Sequence, residues 1–197
     1  MMIRRRTGRC AIVPVVMLVA CTTAAADSRP LDLERSTLTV YAYKAGLFSA
    51  FADNHVVRAP IASGRVTDEG SLAVELTVGA AQMTVLDPGL SVDKRSEVQT
   101  RMRGPEVLDS ARYPDIRFRS TGIEPTGTDQ WRVSGDLMLH GVSRPLTFAV
   151  MRRDGHYRGA ALIRQRDFGI QPISIVGGTV KVKDELRIEF DIVSKTP

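Results

Sequence analysis

Residues 131–150, WRVSGDLMLHGVSRPLTFAV, alternate between apolar and polar positions through two runs that meet at His140-Gly141. Trp131, Val133, Leu137 and Leu139 fall on one side of the first run with Gly135 among them, while Arg132, Ser134, Asp136 and His140 fall on the other. A period of two marks a strand with one dry and one wet face. In the second run Leu146, Phe148 and Val150 alternate with Thr147, Ala149 and Met151, so the apolar sides of both runs face one interior. The stretch predicts a hairpin of a barrel or sandwich.

Similar runs recur along the chain. Strands are expected at 36–43, 59–67, 72–78, 116–123, 131–140, 146–151, 157–165 and 180–192, with tight turns at 68–71 and 152–155. The last run is broken near Lys183-Asp184-Glu185, so it is either two strands or one bulged strand. About eight antiparallel strands at this spacing favour a closed barrel or a sandwich. Two helical exceptions stand out. Residues 93–103 are polar helix formers with Val98 and Met102 four apart, a surface helix that packs a narrow stripe; Gly104-Pro105 ends it and leads into a short turn at 106–108. Residues 48–55 suggest a further helical turn.

Several segments carry a family likeness. GPEVLDSARYPDIRFRSTGI at 104–123, LMLHGVSRPLTFAV at 137–150 and QRDFGI at 165–170 resemble, in that order, the bacterial YceI-like family of lipocalin-like, polyisoprenoid-binding proteins. The resemblance runs from about Asp32 to Ser194. It implies an all-β, lipocalin-like antiparallel barrel of about eight strands with one or two short helices, holding a long isoprenoid or fatty chain in an apolar channel. Carried over, Phe48 and Phe51 belong to an early loop region. Leu108, Tyr113, Ile116, Phe118, Leu137, Leu139, Phe148, Phe168 and Ile170 line or support the channel. The chain departs from the family around the first histidine, where Ala52-Asp53-Asn54-His55 makes a polar loop suited to a head group, a cation or water. Asn54, His55, Arg101 and Arg103 are the candidate head-group residues.

Composition changes this picture mainly through the first 26 residues. Arg4, Arg5, Arg6 and Arg9 precede a short apolar core over 11–20, and Ala24-Ala25-Ala26 offers a cleavage site, the layout of a secretory leader. Leu18-Val19-Ala20-Cys21 competes with it as a lipobox, in which Cys21 becomes the lipid-modified first residue and tethers the domain to a membrane. Either way the expected compartment is the periplasm. The formal charge of +5 loses its weight once the four leader arginines are set aside, leaving 23 basic against 22 acidic side chains and no basic patch for nucleic acid. Cys10 and Cys21 are the only cysteines, so the remaining residues, read as one domain over 27–197, have no disulfide framework and no thiol nucleophile.

Catalytic chemistry finds little support. His55, His140 and His156 lack neighbouring histidines or cysteines at metal-ligand spacing. Asp53 with His55, and Asp136 with His140, are the pairs from which a metal-dependent enzyme would be built. Otherwise His140 is a turn residue bonding backbone and His156 is exposed. No G-x-S-x-G or S-x-x-K motif is present. The inward positions mix bulky Trp131, Leu137, Leu139, Phe118, Phe148, Ile188 and Phe190 with small Gly135, Ala160 and Ala161, which suits either a filled core or a cavity for one small ligand. The expectation is a non-catalytic carrier of an isoprenoid or other long-chain lipid, without metal or cofactor. The alternatives are an enzyme using His55, Asp53 and His140, or a filled barrel serving as a structural module. A homodimer through an outer strand face stays open, though no apolar outer stripe marks one.

Overall fold

A computed structural model describes residues 28–45, 54–67, 72–175 and 180–195. Among them, twelve strands form one antiparallel sheet: β1 (Ser28–Pro30), β2 (Thr37–Ala45), β3 (His55–Arg58), β4 (Ile61–Thr67), β5 (Ala73–Gly79), β6 (Thr84–Val85), β7 (Asp115–Gly127), β8 (Gln130–Leu139), β9 (Val142–Arg153), β10 (His156–Arg164), β11 (Ser174–Ile175) and β12 (Val180–Val193). One α-helix, α1 (Val92–Arg103), is inserted between β6 and β7. Neighbours in the sheet run β1-β4-β5-β7-β8-β9-β10-β12-β2-β3-β6, with β11 paired only to β12.

That path does not return on itself, so the sheet is an open half-barrel and the expected closed barrel of about eight strands is corrected. Closure requires continuous pairing of the first and last strands with a fixed stagger. Here the path ends on strands of three and two residues, β1 and β6, too short to supply it. Those two, with β3 and β11, are also the strands that alternation did not reveal, because two to four residues define no period. His55 lies in β3 and not in a helical turn, and the preceding Asn54 is irregular. Phe48, Phe51 and Asp53 lie outside the described residues, as do the leader and Cys21.

The meander β7–β10 is the most regular part. β8 and β9 pair without a break from Gln130↔Met151 to Leu139↔Val142. Their turn has His140 at φ 52° and Gly141 at φ 74°. Two consecutive positive φ angles give the primed turn whose twist matches that of the strands. Asp154 at φ 53° and Gly155 at φ 78° repeat the device between β9 and β10, so the strands run on through Arg153 and the expected turn at 152–155 narrows to its last two residues. The final segment is one strand, with a register shift between Val182 and Leu186 opposite β2.

Helix α1 begins at Ser91, whose hydroxyl accepts from the Lys94 N–H at 3.4 Å, and carries Arg101 and Arg103 in its last turn, where cations complement the helix dipole. Val98 and Met102 pack against the main core, as their spacing predicted. Residues 105–108 form turns, in keeping with the short turn expected at 106–108. Besides the β5–β7 and β2–β12 ladders, a seam ties the first strand to the end of the last: Leu31 donates its N–H to Gly64 O at 3.0 Å, Asp32 donates to Val193 O at 2.7 Å, and Leu31 bridges Ser194. Leu31 is 2% exposed and packs with Ile61 and Ile192.

Candidate functional site

The inward faces of the strands enclose a cavity of about 200 Å³. Its position follows from register. Phe118 on β7, Leu137 on β8, Phe148 on β9, Ala161 on β10, Ile188 on β12 and Val40 on β2 all project to the concave side, and each lines the cavity. The rings of Phe118 and Phe148 lie 5.3 Å apart, and those of Phe148 and Phe190 5.4 Å apart, in tilted and edge-on arrangements. Two glycines make room for this aromatic belt. A Cβ on Gly135 would run into the Phe118 ring and Arg119 O, and one on Gly159 into the Phe190 ring and Ala149 O.

Of the residues expected along the channel, Leu108, Ile116, Phe118, Leu137, Leu139 and Phe148 are on the cavity wall. Phe168 and Ile170 are buried in the same core, at 3% exposure each, behind the wall. Tyr113 lies elsewhere: its ring is 4.6 Å from the His140 ring and covers Gly141, supporting the β8–β9 turn. Wall residues that the family likeness did not supply include Leu38, Val40, Leu76 and Val78, each placed by the alternation of β2 and β5.

The expected head-group residues collect near α1 but do not form one cluster. His55 follows Val57 along the inward face of β3, pairing with Ala42 as Val57 pairs with Val40. Its Nδ1 lies 2.6 Å from Asp87 Oδ2, while the other oxygen of Asp87 accepts the Val56 N–H at 2.7 Å. Asp87 is only 4% exposed, so these contacts satisfy a carboxylate that burial would otherwise penalise. Asn54 accepts the Lys44 N–H through Oδ1 at 3.1 Å. Arg101 faces Glu106 at 3.6 Å, and Arg103 donates Nε and Nη2 to Met83 O at 3.3 and 2.9 Å. The Asp87 partner was illegible in sequence, being 32 residues from His55 in a Leu86-Asp87-Pro88-Gly89 stretch that reads as a turn.

The far end of the cavity is furnished differently. Trp131, Tyr157, Val150 and Ile123 line it and remain partly exposed. Arg152 continues the inward parity of Leu146, Phe148 and Val150, and its guanidinium carbon stands 5.8 Å from the centre of the Trp131 ring. Its Nε and Nη2 both reach Asp129 Oδ1, at 2.9 and 2.7 Å, and its N–H donates to Asp129 O at 2.8 Å. Hydrogen bonds to Tyr157 and then Asp129 raise the arginine's already high pKa further.

The remaining histidines are structural. His140 Nδ1 lies 3.3 Å from Phe168 O, the backbone bond expected of a turn residue. His156, expected to be exposed, is half-buried and sits 2.5 Å from Asp191 Oδ1 on the outer face. Among the described residues no group of three or more His, Cys, Asp or Glu side chains is arranged to hold a metal ion.

Comparison with known proteins bears on the fold and the family. A UPF0312 protein of Pseudomonas savastanoi pv. phaseolicola is 34% identical over 110 residues, 51% of this chain and 55% of that protein. A UPF0312 protein of Vibrio cholerae is 27% identical over 132 residues, 58% of this chain and 68% of that protein. The chain thus spans little more than half the length of the first of these relatives. Burkholderia cenocepacia BcnA, a solved structure, superposes with a TM-score of 0.65 at 18% identity over 84% of this chain and 99% of its own, a likeness of fold. The YceI-like domain description matches residues 31–194, from the seam at Leu31 to its partner at Ser194. The chain belongs to the YceI-like family.

Proposed function

We propose that this protein carries or sequesters an amphiphile with an isoprenoid-like or fatty tail, which lies along the half-barrel against Leu108, Ile116, Phe118, Leu137, Leu139 and Phe148. The supporting observation is the chemistry of the wall, whose 28 residues include one hydroxyl side chain besides Tyr157, that of Thr67, and no charged group. Such a wall rewards apolar burial and offers no reacting atom a partner. Its volume, about 200 Å³, falls below the roughly 300–1,000 Å³ of pockets for drug-sized ligands, which suits a thin chain. At about 0.8 kcal/mol per buried CH₂, ten carbons contribute about 8 kcal/mol before ordering costs, enough for useful affinity without specifying the chain. Phe168 and Ile170 support the wall from behind, and Tyr113 supports the β8–β9 turn. Export to the periplasm through the leader, and a lipid tether at Cys21, complete this reading.

The test is native mass spectrometry, with organic extraction, of the full chain expressed with its leader and purified without detergent. The expected result is a stoichiometric amphiphile, or uptake of one added isoprenoid or fatty chain per protein. A protein that is bare and takes up neither sinks the carrier reading. The mass of the mature chain in the same spectrum distinguishes a lipid-modified Cys21 from cleavage after Ala26.

A further inference from the structure

The two ends of the cavity differ in cover and in chemistry. Beneath α1 the wall is formed by Met83, Leu108, Leu139 and Ile163, all buried. Gln99 and Arg103 of α1 are committed there to backbone groups of Met83 and Val85. At the other end, 127–130 and 153–156 are hairpin turns, and the apolar wall reaches the rim partly exposed through Ile123, Trp131, Val150 and Tyr157. An amphiphile leaves its head where apolar wall meets water, and that boundary is drawn at this rim. Two charged side chains share the inward parity of β9: Arg144, which donates Nε to Asp167 O, and Arg152, which stands at this rim.

We propose that the cavity opens at this hairpin end and that Arg152, stacked over Trp131 beside Tyr157, anchors the oxyanion head, carboxylate or phosphate, of the amphiphile. The inference rests on the carrier reading and adds a mouth and a head-group class to it. Arg152 presents the Nε and Nη2 edge of its guanidinium, but both donors converge on the single Oδ1 of Asp129. A ligand carboxylate or phosphate brings two oxygens to the same edge and matches the fork donor for donor. Asp129 yields at little cost, because the pair is 42% and 43% exposed and ion pairs of that exposure contribute little. When Asp129 yields, the aromatic ring still faces the cation and the Arg152 N–H still holds Asp129 O, so the rim keeps its shape. An ammonium head would meet the like charge of Arg152, and a neutral alcohol would leave the fork to Asp129.

The chain's single tryptophan is Trp131, so its fluorescence reports on this rim directly. The full chain, freed of co-purified lipid, is titrated with hexadecanoate, hexadecyl phosphate and hexadecanol, which share a tail. Both anions are expected to bind about ten-fold more tightly than the alcohol. Arg152→Gln brings the three together without weakening the alcohol, and Asp129→Asn tightens the anions by removing their competitor. A hexadecanoate with bromine beside its carboxylate quenches Trp131 more than one with bromine at the far end. Tighter binding of one anion alone assigns the head as carboxylate or as phosphate. Equal affinity for acid and alcohol in the unmodified protein, an unchanged ratio in Arg152→Gln, or the reverse order of quenching overturns the head-group assignment while leaving the carrier intact. Failure of all three amphiphiles to bind removes both readings.

Discussion

The β7–β10 meander and the limb formed by β1 to β6 belong to one sheet but are held by different means. In the meander each strand is fixed by its neighbour in sequence: β8 pairs β9 across a two-residue turn, and the register leaves no choice of face. In the limb, β1 and β6 are scraps of three and two residues, and the chain is held in place by contacts far apart in sequence. Leu31 lies between Gly64 and Ser194, and Ser36 exchanges hydrogen bonds with Val193, 157 residues away. Neighbouring strands alone therefore shape the meander's part of the cavity wall, while the limb adds to its local β4–β5 and β2–β3 pairs a long-range seam at β1.

The largest effect that separates the two halves is expected at that seam. Leu31→Ala removes a side chain that is 2% exposed and packs against Ile61 and Ile192, at a cost of about 3 kcal/mol measured by denaturant unfolding. Hydrogen exchange should then quicken in β1, β4 and the end of β12 while the amides of β8 and β9 stay protected. Equal quickening everywhere would make the halves a single cooperative unit and dissolve the distinction.

The meander has its own weak point in the glycines beneath the aromatic belt. Gly135→Ala drives a methyl group against the Phe118 ring and against Arg119 O; the ring can swing but the backbone oxygen cannot. The expected cost is about 2 kcal/mol, with exchange quickening in β7 and β8 this time. Because the displaced ring belongs to the cavity wall, the same variant should also take up less long-chain lipid than one destabilised equally at the protein's outer surface.

What sequence reading could reach follows the same division. The alternation of 131–150 placed Leu137, Leu139 and Phe148 on one face, and the family likeness added Leu108, Ile116 and Phe118; all six lie on the wall. The turn at His140-Gly141 was legible because a primed turn leaves a signature in two adjacent residues. β1, β3, β6 and β11 left none, so a strand count of about eight led to a closed barrel where an open half-barrel stands. Tyr113 was placed with the channel residues by the family likeness; its ring covers Gly141 and supports the β8–β9 turn. Arg152 was legible in principle. Extending the parity of Leu146, Phe148 and Val150 by one step puts it on the inward face, but the turn expected at 152–155 took in Arg152 itself and masked the continuation.

A smaller effect on the seam is expected from Ser36. Its hydroxyl donates to Val193 O at 3.3 Å and accepts the Val193 N–H at 3.0 Å within a buried site. Ser36→Ala leaves that N–H without its acceptor, which costs about 1 kcal/mol by the same unfolding measurement. Combined with Leu31→Ala the losses should fall short of their sum, since either change alone loosens the β12 end that both residues hold. Strict additivity would show that the two contacts act separately and that the seam is not one device.

The smallest effect concerns acid, and it falls on the junction of the two halves, where β12 pairs with β10 on one side and β2 on the other. Burial raises the pKa of Asp191 on the outer face, but hydrogen bonds from Arg158 and His156 outweigh it and hold the carboxyl below its ordinary value of 3.8. A carboxyl depressed in the folded protein contributes stability that is complete above its unfolded pKa and is lost as pH falls through the folded one. Asp191→Asn should therefore be slightly less stable than the unmodified protein at neutral pH, with the two unfolding curves converging as pH drops below about 4. A difference that persists unchanged to low pH would show that Asp191 holds the junction through packing rather than through its charge.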